Sequence, residues 1–184
     1  MPSQNYVALL RAINVGGNNK LPMKDLKALL EGLGCSDVQT YIQSGNAVFK
    51  AEASLAARLP KLAHEAILKK YKVSAPVIVR SAAEIAKVVK SNPYLKAGVA
   101  VETLHVGFLA ERPKAAAIAL LDPQRSPGDK FSVLGSEVYF QFAAGVGKTK
   151  LTNQYFDSKL GTTITLRNWK TVTQLLAMTA GKGD

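Results

Sequence analysis

The 184-residue sequence predicts an α+β protein made of two ferredoxin-like halves, with mainly antiparallel sheets and helices on one face. Three observations carry that expectation. Strand-length apolar blocks alternate with segments of helical period. The order strand, helix, strand, strand, helix, strand occurs once before residue 80 and again from residue 103. Turn residues also open corresponding strands in the two halves, at Gly45-Asn-Ala-Val-Phe49 and Gly135-Ser-Glu-Val-Tyr139, which is the pattern of a structural duplication. In such a unit the second sheet face is left to solvent, to a ligand or to further chain.

The first half spans residues 1–80. Tyr6 to Asn14 is an apolar run that predicts a buried strand, closed by the turn Val15-Gly-Gly-Asn-Asn19. Pro22 suits a first helical position, Met23, Leu26, Leu29, Leu30 and Leu33 recur at helical spacing, and Gly34 suits the left-handed stop. Val38–Ile42 and Ala47–Phe49 flank Ser44-Gly-Asn46 and predict a hairpin. A helix follows over about Ser54–Tyr71, with Pro60 either kinking it or marking its start, and Pro76–Val79 forms the last strand, ending at Arg80.

Residues 81–102 form a connector: Ser81-Ala-Ala-Glu84 is a capping box and Asn92-Pro93 stops the helix it opens. The second half, 103–184, repeats the plan. It predicts a strand at Thr103–Leu109, a helix opened by Pro113, a hairpin over Phe131–Phe142, a helix over Leu151–Leu160 and a strand at Thr162–Thr165. A final helix, capped by Asn168, closes that half.

Charge and composition bound the function. With 24 Lys+Arg against 13 Asp+Glu the net charge is +11, which favours anionic partners without specifying one. The cations are scattered rather than massed in a tail. The N-terminal residues lack a secretory signal, and no run reaches the roughly 18 apolar residues of a membrane span, so a cytoplasmic protein with no membrane partner is expected. One cysteine and two distant histidines predict no metal, and no cofactor motif is complete. Neither His64 nor His105 has a nucleophile near it in sequence, and Cys35, at a helix end, reads as structural.

Three segments carry candidate chemistry. Asn14-Val-Gly16-Gly17-Asn-Asn-Lys20 joins a strand to a helix N-terminus, where backbone N–H groups can hold an anion; the alternative is a turn that needs glycine. Arg167 could grip a phosphate or carboxylate and Trp169 stack on a base, against the alternative of Trp169 as core and Asn168 as cap. Tyr41, Gln43, Ser44 and Asn46 offer hydrogen bonds at the hairpin. Gly145-Val-Gly147-Lys148-Thr149 matches the end of a phosphate-binding loop, but Phe142 stands where the leading glycine belongs, so a basic turn is expected instead. Tyr6 and Phe49 lack the aromatic pattern of an RNA-recognition sheet.

At Ala8-Leu-Leu-Arg-Ala-Ile-Asn-Val-Gly-Gly17, Tyr41-Ile-Gln-Ser-Gly-Asn46 and Arg167-Asn-Trp169 the chain resembles the bacterial domain of unknown function 1697 family over nearly its whole length. The resemblance implies two ferredoxin-like halves and no established activity, substrate or cofactor. Members usually read Leu-Arg-Gly-Ile-Asn in the first segment, where this chain has Ala12. The functional expectation is binding of a phosphate-bearing anionic ligand, nucleic acid first, through Arg11, Asn14, Gly16, Gly17, Lys20, Tyr41, Ser44, Asn46, Arg167 and Trp169. The alternatives are an enzyme acting on a small anionic metabolite between the halves, and a protein-interaction module without catalysis. The sequence fixes neither the ligand nor the oligomeric state.

Overall fold

The computed structural model describes residues 3–96 and 98–180. Strand β1 (Gln4–Leu10) sits inside the first sheet, antiparallel to β3 (Asn46–Ala51) on one side and to β4 (Val77–Ser81) on the other. β2 (Ser36–Tyr41) pairs with the far side of β3, giving the order β2-β3-β1-β4. Each β-α-β crossover therefore steps over a strand of the other, the split arrangement the sequence predicts. Helices α1 (Met23–Gly32) and α2 (Ala53–Tyr71) make those crossovers. Their apolar stripes, among them Leu26, Leu30, Leu59, Ala63 and Ile67, bury against Tyr6, Ala8, Leu10 and Phe49.

The second sheet has the same plan. β5 (Leu104–Leu109) lies between β7 (Glu137–Gln141) and β8 (Ile164–Asn168), and β6 (Lys130–Leu134) borders β7, in the order β6-β7-β5-β8. All its neighbours are antiparallel. Its core is aromatic: Phe140 and Phe142 stack at 5.1 Å, and Phe156 of α5 (Asn153–Leu160) meets Phe140 edge-on at 5.2 Å.

Two further helices follow the last strands, α3 (Ala82–Lys90) and α6 (Trp169–Thr179). The chain divides into two compact units, Met1–Ala86 with Gln174–Asp184, and Lys87–Thr173. The end of α6 thus counts with the first unit, where Asn5 Nδ2 donates to Thr179 O at 2.7 Å. The end of α3 counts with the second, where Tyr139 Oη donates to Val88 O at 3.2 Å. In both sheets the central strands are buried on both faces: Val7 and Leu9, which point away from α1 and α2, are as enclosed as Ala8 and Leu10. This explains why β1 reads as a continuous apolar run.

The structure shifts several boundaries. β1 ends at Leu10, not Asn14, because Ala12 and Asn14 take φ of 56° and 54° and turn the chain out of the sheet. β8 runs Ile164–Asn168 rather than Thr162–Thr165, so Arg167 lies in the strand. The helix opened by Pro113 shortens to α4 (Ala115–Ile118). Pro60 lies inside α2, which begins at Ala53. The predicted capping box forms, with Ser81 N donating to Glu84 Oε2 at 2.7 Å and Glu84 N to Ser81 Oγ at 3.3 Å. Gly34 takes the left-handed stop, at φ 101°. Among the described residues no helix is long and apolar enough to cross a membrane.

Candidate functional site

In the first unit the glycine segment is a miniature hairpin. Asn18 N donates to Val15 O at 3.0 Å and Asn14 N to Asn19 O at 3.1 Å, with Gly16 and Gly17 at φ 57° and 81° between them. Two consecutive left-handed residues make the primed turn that suits a tight hairpin, and glycine adopts it without strain. The tip stands clear, since a Cβ on either glycine would have no neighbour within 4 Å. The hairpin closes before α1 begins, so its glycines do not cradle the start of that helix, whose first turn already carries Asp25.

Asn14 binds this hairpin to the rest of the unit. Its Nδ2 donates to Leu21 O and Gln43 O, both at 2.8 Å, and its Oδ1 accepts from Leu21 N at 2.8 Å. The bond to Gln43 joins the first family-like segment to the second, a proximity the sequence does not reveal. Leu10 N reinforces it by donating to Gly45 O at 2.8 Å. Gly45 is held by space as well as by its φ of 81°, because a Cβ there would fall 2.7 Å from Leu10 Cβ. Asn46, fully buried, donates to Tyr41 O at 3.1 Å and Ser44 Oγ at 3.0 Å. Asn14, Ser44 and Asn46 thus make hydrogen bonds within and between these two loops, while Gly16, Gly17 and Lys20 are exposed and Arg11 and Tyr41 are partly covered.

Arg167 and Trp169 belong to the second unit and are enclosed, at 8% and 5% exposure. Arg167 Nη1 donates to Thr165 Oγ1 at 2.9 Å and Leu166 O at 2.8 Å, and burial lowers its guanidinium to about 10, still charged at neutral pH. Asn168 caps α6, its Oδ1 accepting from Thr171 N at 2.8 Å. The first unit contains a counterpart that sequence reading missed. Arg80, also 8% exposed, faces Val7 across β4–β1, as Arg167 faces Val106 across β8–β5. Each arginine is followed by the cap of the next helix, Ser81 or Asn168. The signal lay in the strings Val-Ile-Val-Arg-Ser and Ile-Thr-Leu-Arg-Asn.

The Ala143–Lys150 segment is an exposed loop fastened at both ends. Ala143 N donates to Asp129 Oδ1 at 2.8 Å, Lys150 N donates to Ser126 Oγ at 3.1 Å, and Ser126 Oγ in turn donates to Asp129 Oδ2 at 2.7 Å. Burial works to raise the Asp129 carboxyl, but hydrogen bonds from Thr149, Ser126 and the Ala143 amide together hold it below its ordinary value. Between these anchors Gly145, Val146, Gly147 and Lys148 are exposed. Thr149 Oγ1 accepts from Leu151 N at 3.1 Å and lies 3.4 Å from Ser126 Oγ, so its hydroxyl is engaged at the base of the loop. Arg125 braces the same junction, with Nε donating to Lys150 O at 2.9 Å and its guanidinium 4.1 Å over the Tyr155 ring. Ser126 and Asp129 lie 14 to 24 residues before their partners, beyond any local motif.

The remaining reactive side chains are engaged elsewhere. Burial pushes the Cys35 thiol up to about 11, away from the thiolate a nucleophile needs. His64 Nδ1 lies 2.9 Å from Ala75 O, and His105 packs against Phe142 at 5.0 Å. Among the described residues no three His, Cys, Asp or Glu side chains gather as a metal site. Tyr6 and Phe49 stack at 5.9 Å within the core under the helices, not on an open face.

The chain matches a family model described as a protein of unknown function, DUF1697, over residues 3–139, and it belongs to that family. It is similar to the conserved bacterial protein SP0830 from Streptococcus pneumoniae, whose structure superposes with a TM-score of 0.70 at 24% identity. That likeness covers 97% of this chain and 99% of the other, and at such identity it concerns the fold. No curated protein matches the chain.

Proposed function

We propose that the protein binds a phosphate-bearing anionic ligand, nucleic acid first, through its exposed glycine-and-lysine loops. The observation that carries this reading is the Ala143–Lys150 loop, held at both ends by Asp129 and Ser126 with its glycines and lysines turned outward. Exposed glycine-rich backbone beside lysine ammonium groups suits phosphate oxygens. The Gly16–Gly17 tip with Lys20 offers the first unit a smaller version of the same chemistry. Lys20, Lys148 and Lys150 take part in no ion pair among the described residues, so their charges are available on a chain of net charge +11. Arg167 and Trp169, being buried, act on stability in this reading rather than on contact. The recurrent arginine-and-cap strand ends support an internal duplication as the origin of the two halves.

The test is binding of short single-stranded RNA and DNA, followed by fluorescence anisotropy at two salt concentrations. Each phosphate contact contributes roughly 0.7 to 0.9 to the slope of log affinity against log salt, so replacing Lys20, Lys148 and Lys150 by alanine is expected to reduce that slope by about 2. Absence of binding by the unaltered chain at low salt overturns the reading. Arg167→Ala is expected to lower the melting temperature whether or not oligonucleotide is present.

A further inference from the structure

Beside the Ala143–Lys150 loop, the second unit carries a groove of about 390 Å³. Its walls include Tyr94, Pro123, Pro127 and Phe131, and its polar edge includes Gln124, Asp129 and Lys130. We propose that the groove takes one nucleobase of a bound single strand while the neighbouring loop takes the phosphates. This inference rests on the nucleic-acid reading and specifies its ligand.

Four features carry it. The volume lies at the small end of the roughly 300 to 1,000 Å³ of ligand pockets, which suits a single base with its sugar rather than a larger cofactor. Tyr94 and Phe131, both only partly buried, line the groove, and stacking on aromatic side chains is how single strands are held without sequence readout. Tyr94 is anchored at its backbone and at the tip of its ring: its backbone N–H donates to Oδ1 of the buried Asn92 at 2.9 Å, and its hydroxyl lies 2.7 Å from Ser132 Oγ. A ring held in this way needs little ordering when a base arrives. Finally, groove and loop are one construction, because Asp129 and Ser126 line the groove and are the two anchors of the loop.

The polarity of the edge indicates which bases fit. Asp129 accepts from Ala143 N, Ser126 Oγ and Thr149, and a carboxylate, with about four lone-pair sites, retains one for a further donor. Its charge favours bases with an exocyclic amino group, adenine, cytosine or guanine, over uracil. The same negative charge repels phosphate, which leaves the backbone to Lys130 at the edge of the groove and to Lys148 and Lys150 of the neighbouring loop.

The probes are an RNA oligoadenylate and an abasic ribose-phosphate oligomer of equal length, each titrated against the full chain at low salt. Stacking of one base predicts that the oligoadenylate binds about fivefold or more tightly than the abasic strand. Tyr94→Leu is expected to erase that difference, bringing the oligoadenylate down to the affinity of the abasic strand. Equal affinity for the two strands overturns the groove assignment and leaves the phosphate-binding reading standing. Binding of neither strand overturns both. If Tyr94→Leu melts early, photocrosslinking of an 8-azidoadenosine oligomer to the unaltered chain decides: adducts on Tyr94 or residues 123–131 support the groove, and adducts confined to other segments overturn it.

Discussion

The two units share a strand order, yet they treat the same central position differently. β1 and β5 can be aligned by the buried arginines, Val7 facing Arg80 and Val106 facing Arg167. One residue further on, β1 has Ala8 opposite Ala47 and Val79, whereas β5 has Gly107 opposite Val138 and Leu166. The second sheet has moved bulk from its central strand to the neighbours. A Cβ on Gly107 would collide with Ile164 Cδ1 and lie 2.9 Å from its Cγ1 and 3.1 Å from Phe140, so the glycine is imposed by packing, not by backbone conformation. The loops differ more. In the first unit an asparagine ties a glycine hairpin to the turn beside it; in the second a serine and an aspartate tether a basic loop. The units agree where sheet and core demand it and diverge where chain leaves the sheet, which is where binding chemistry is free to vary.

The comparison breaks most readily at the first unit's anchor. Asn14→Ala removes three hydrogen bonds and leaves the N–H and C=O of the fully buried Leu21 without them, a loss of about 3 kcal/mol at roughly 1 kcal/mol per bond. Urea unfolding measures it, and a loss below about 1 kcal/mol would show that the hairpin holds itself. The central-strand exchange comes next. Gly107→Ala is expected to cost about 2 kcal/mol by overpacking. Ala8→Gly should cost about 1 kcal/mol, by adding backbone freedom in a strand and removing a buried methyl. If both substitutions were neutral, the difference in bulk between the two sheets would not be a packing constraint.

The capping residues test whether the two strand ends are equivalent. Ser81→Ala and Asn168→Ala each remove a side-chain acceptor from the first turn of a helix, and each is expected to cost about 1 kcal/mol. Equal losses in thermal melts would sharpen the parallel between Arg80-Ser81 and Arg167-Asn168. A neutral Asn168→Ala would break it.

How much of this was legible depended on whether the cause was local. The leucine spacing of α1, the Gly34 stop and the Ser81–Glu84 box are fixed within a few residues, and all appear where the sequence places them. The end of β1 was hidden because Ala12-Ile13-Asn14 reads as a continuing strand, while the left-handed Ala12 and Asn14 and the bond from Asn19 Nδ2 to Ala12 O turn the chain away. Burial of Arg167 was equally unreadable, since a charged residue near a strand end reads as surface until both sheet faces are known to be covered. The glycines were right for a turn, though the partner of that turn proved to be Asn14 and not the helix. Tyr94, Ser126 and Asp129 carried no signal at all, because their roles depend on partners 14 to 38 residues away.

Ala12 supplies the smallest effect and a direct one. It is exposed, and its φ of 56° lies in the left-handed region. An alanine there costs roughly 1 to 2 kcal/mol because Cβ crowds the following carbonyl. Ala12→Gly relieves that cost but also frees the unfolded chain, which returns about 0.4 to 1 kcal/mol of it. The net expectation is a stabilisation of about 0.5 kcal/mol. It should appear as a raised denaturation midpoint at unchanged urea dependence, since neither compactness nor the surface exposed on unfolding alters. A lowered midpoint would mean that the unfolded-state term dominates. Within this loop Asn14 and Asn19, at φ 54° and 51°, share the conformation at less cost, because asparagine tolerates it and both side chains make hydrogen bonds there, whereas the methyl of Ala12 makes none.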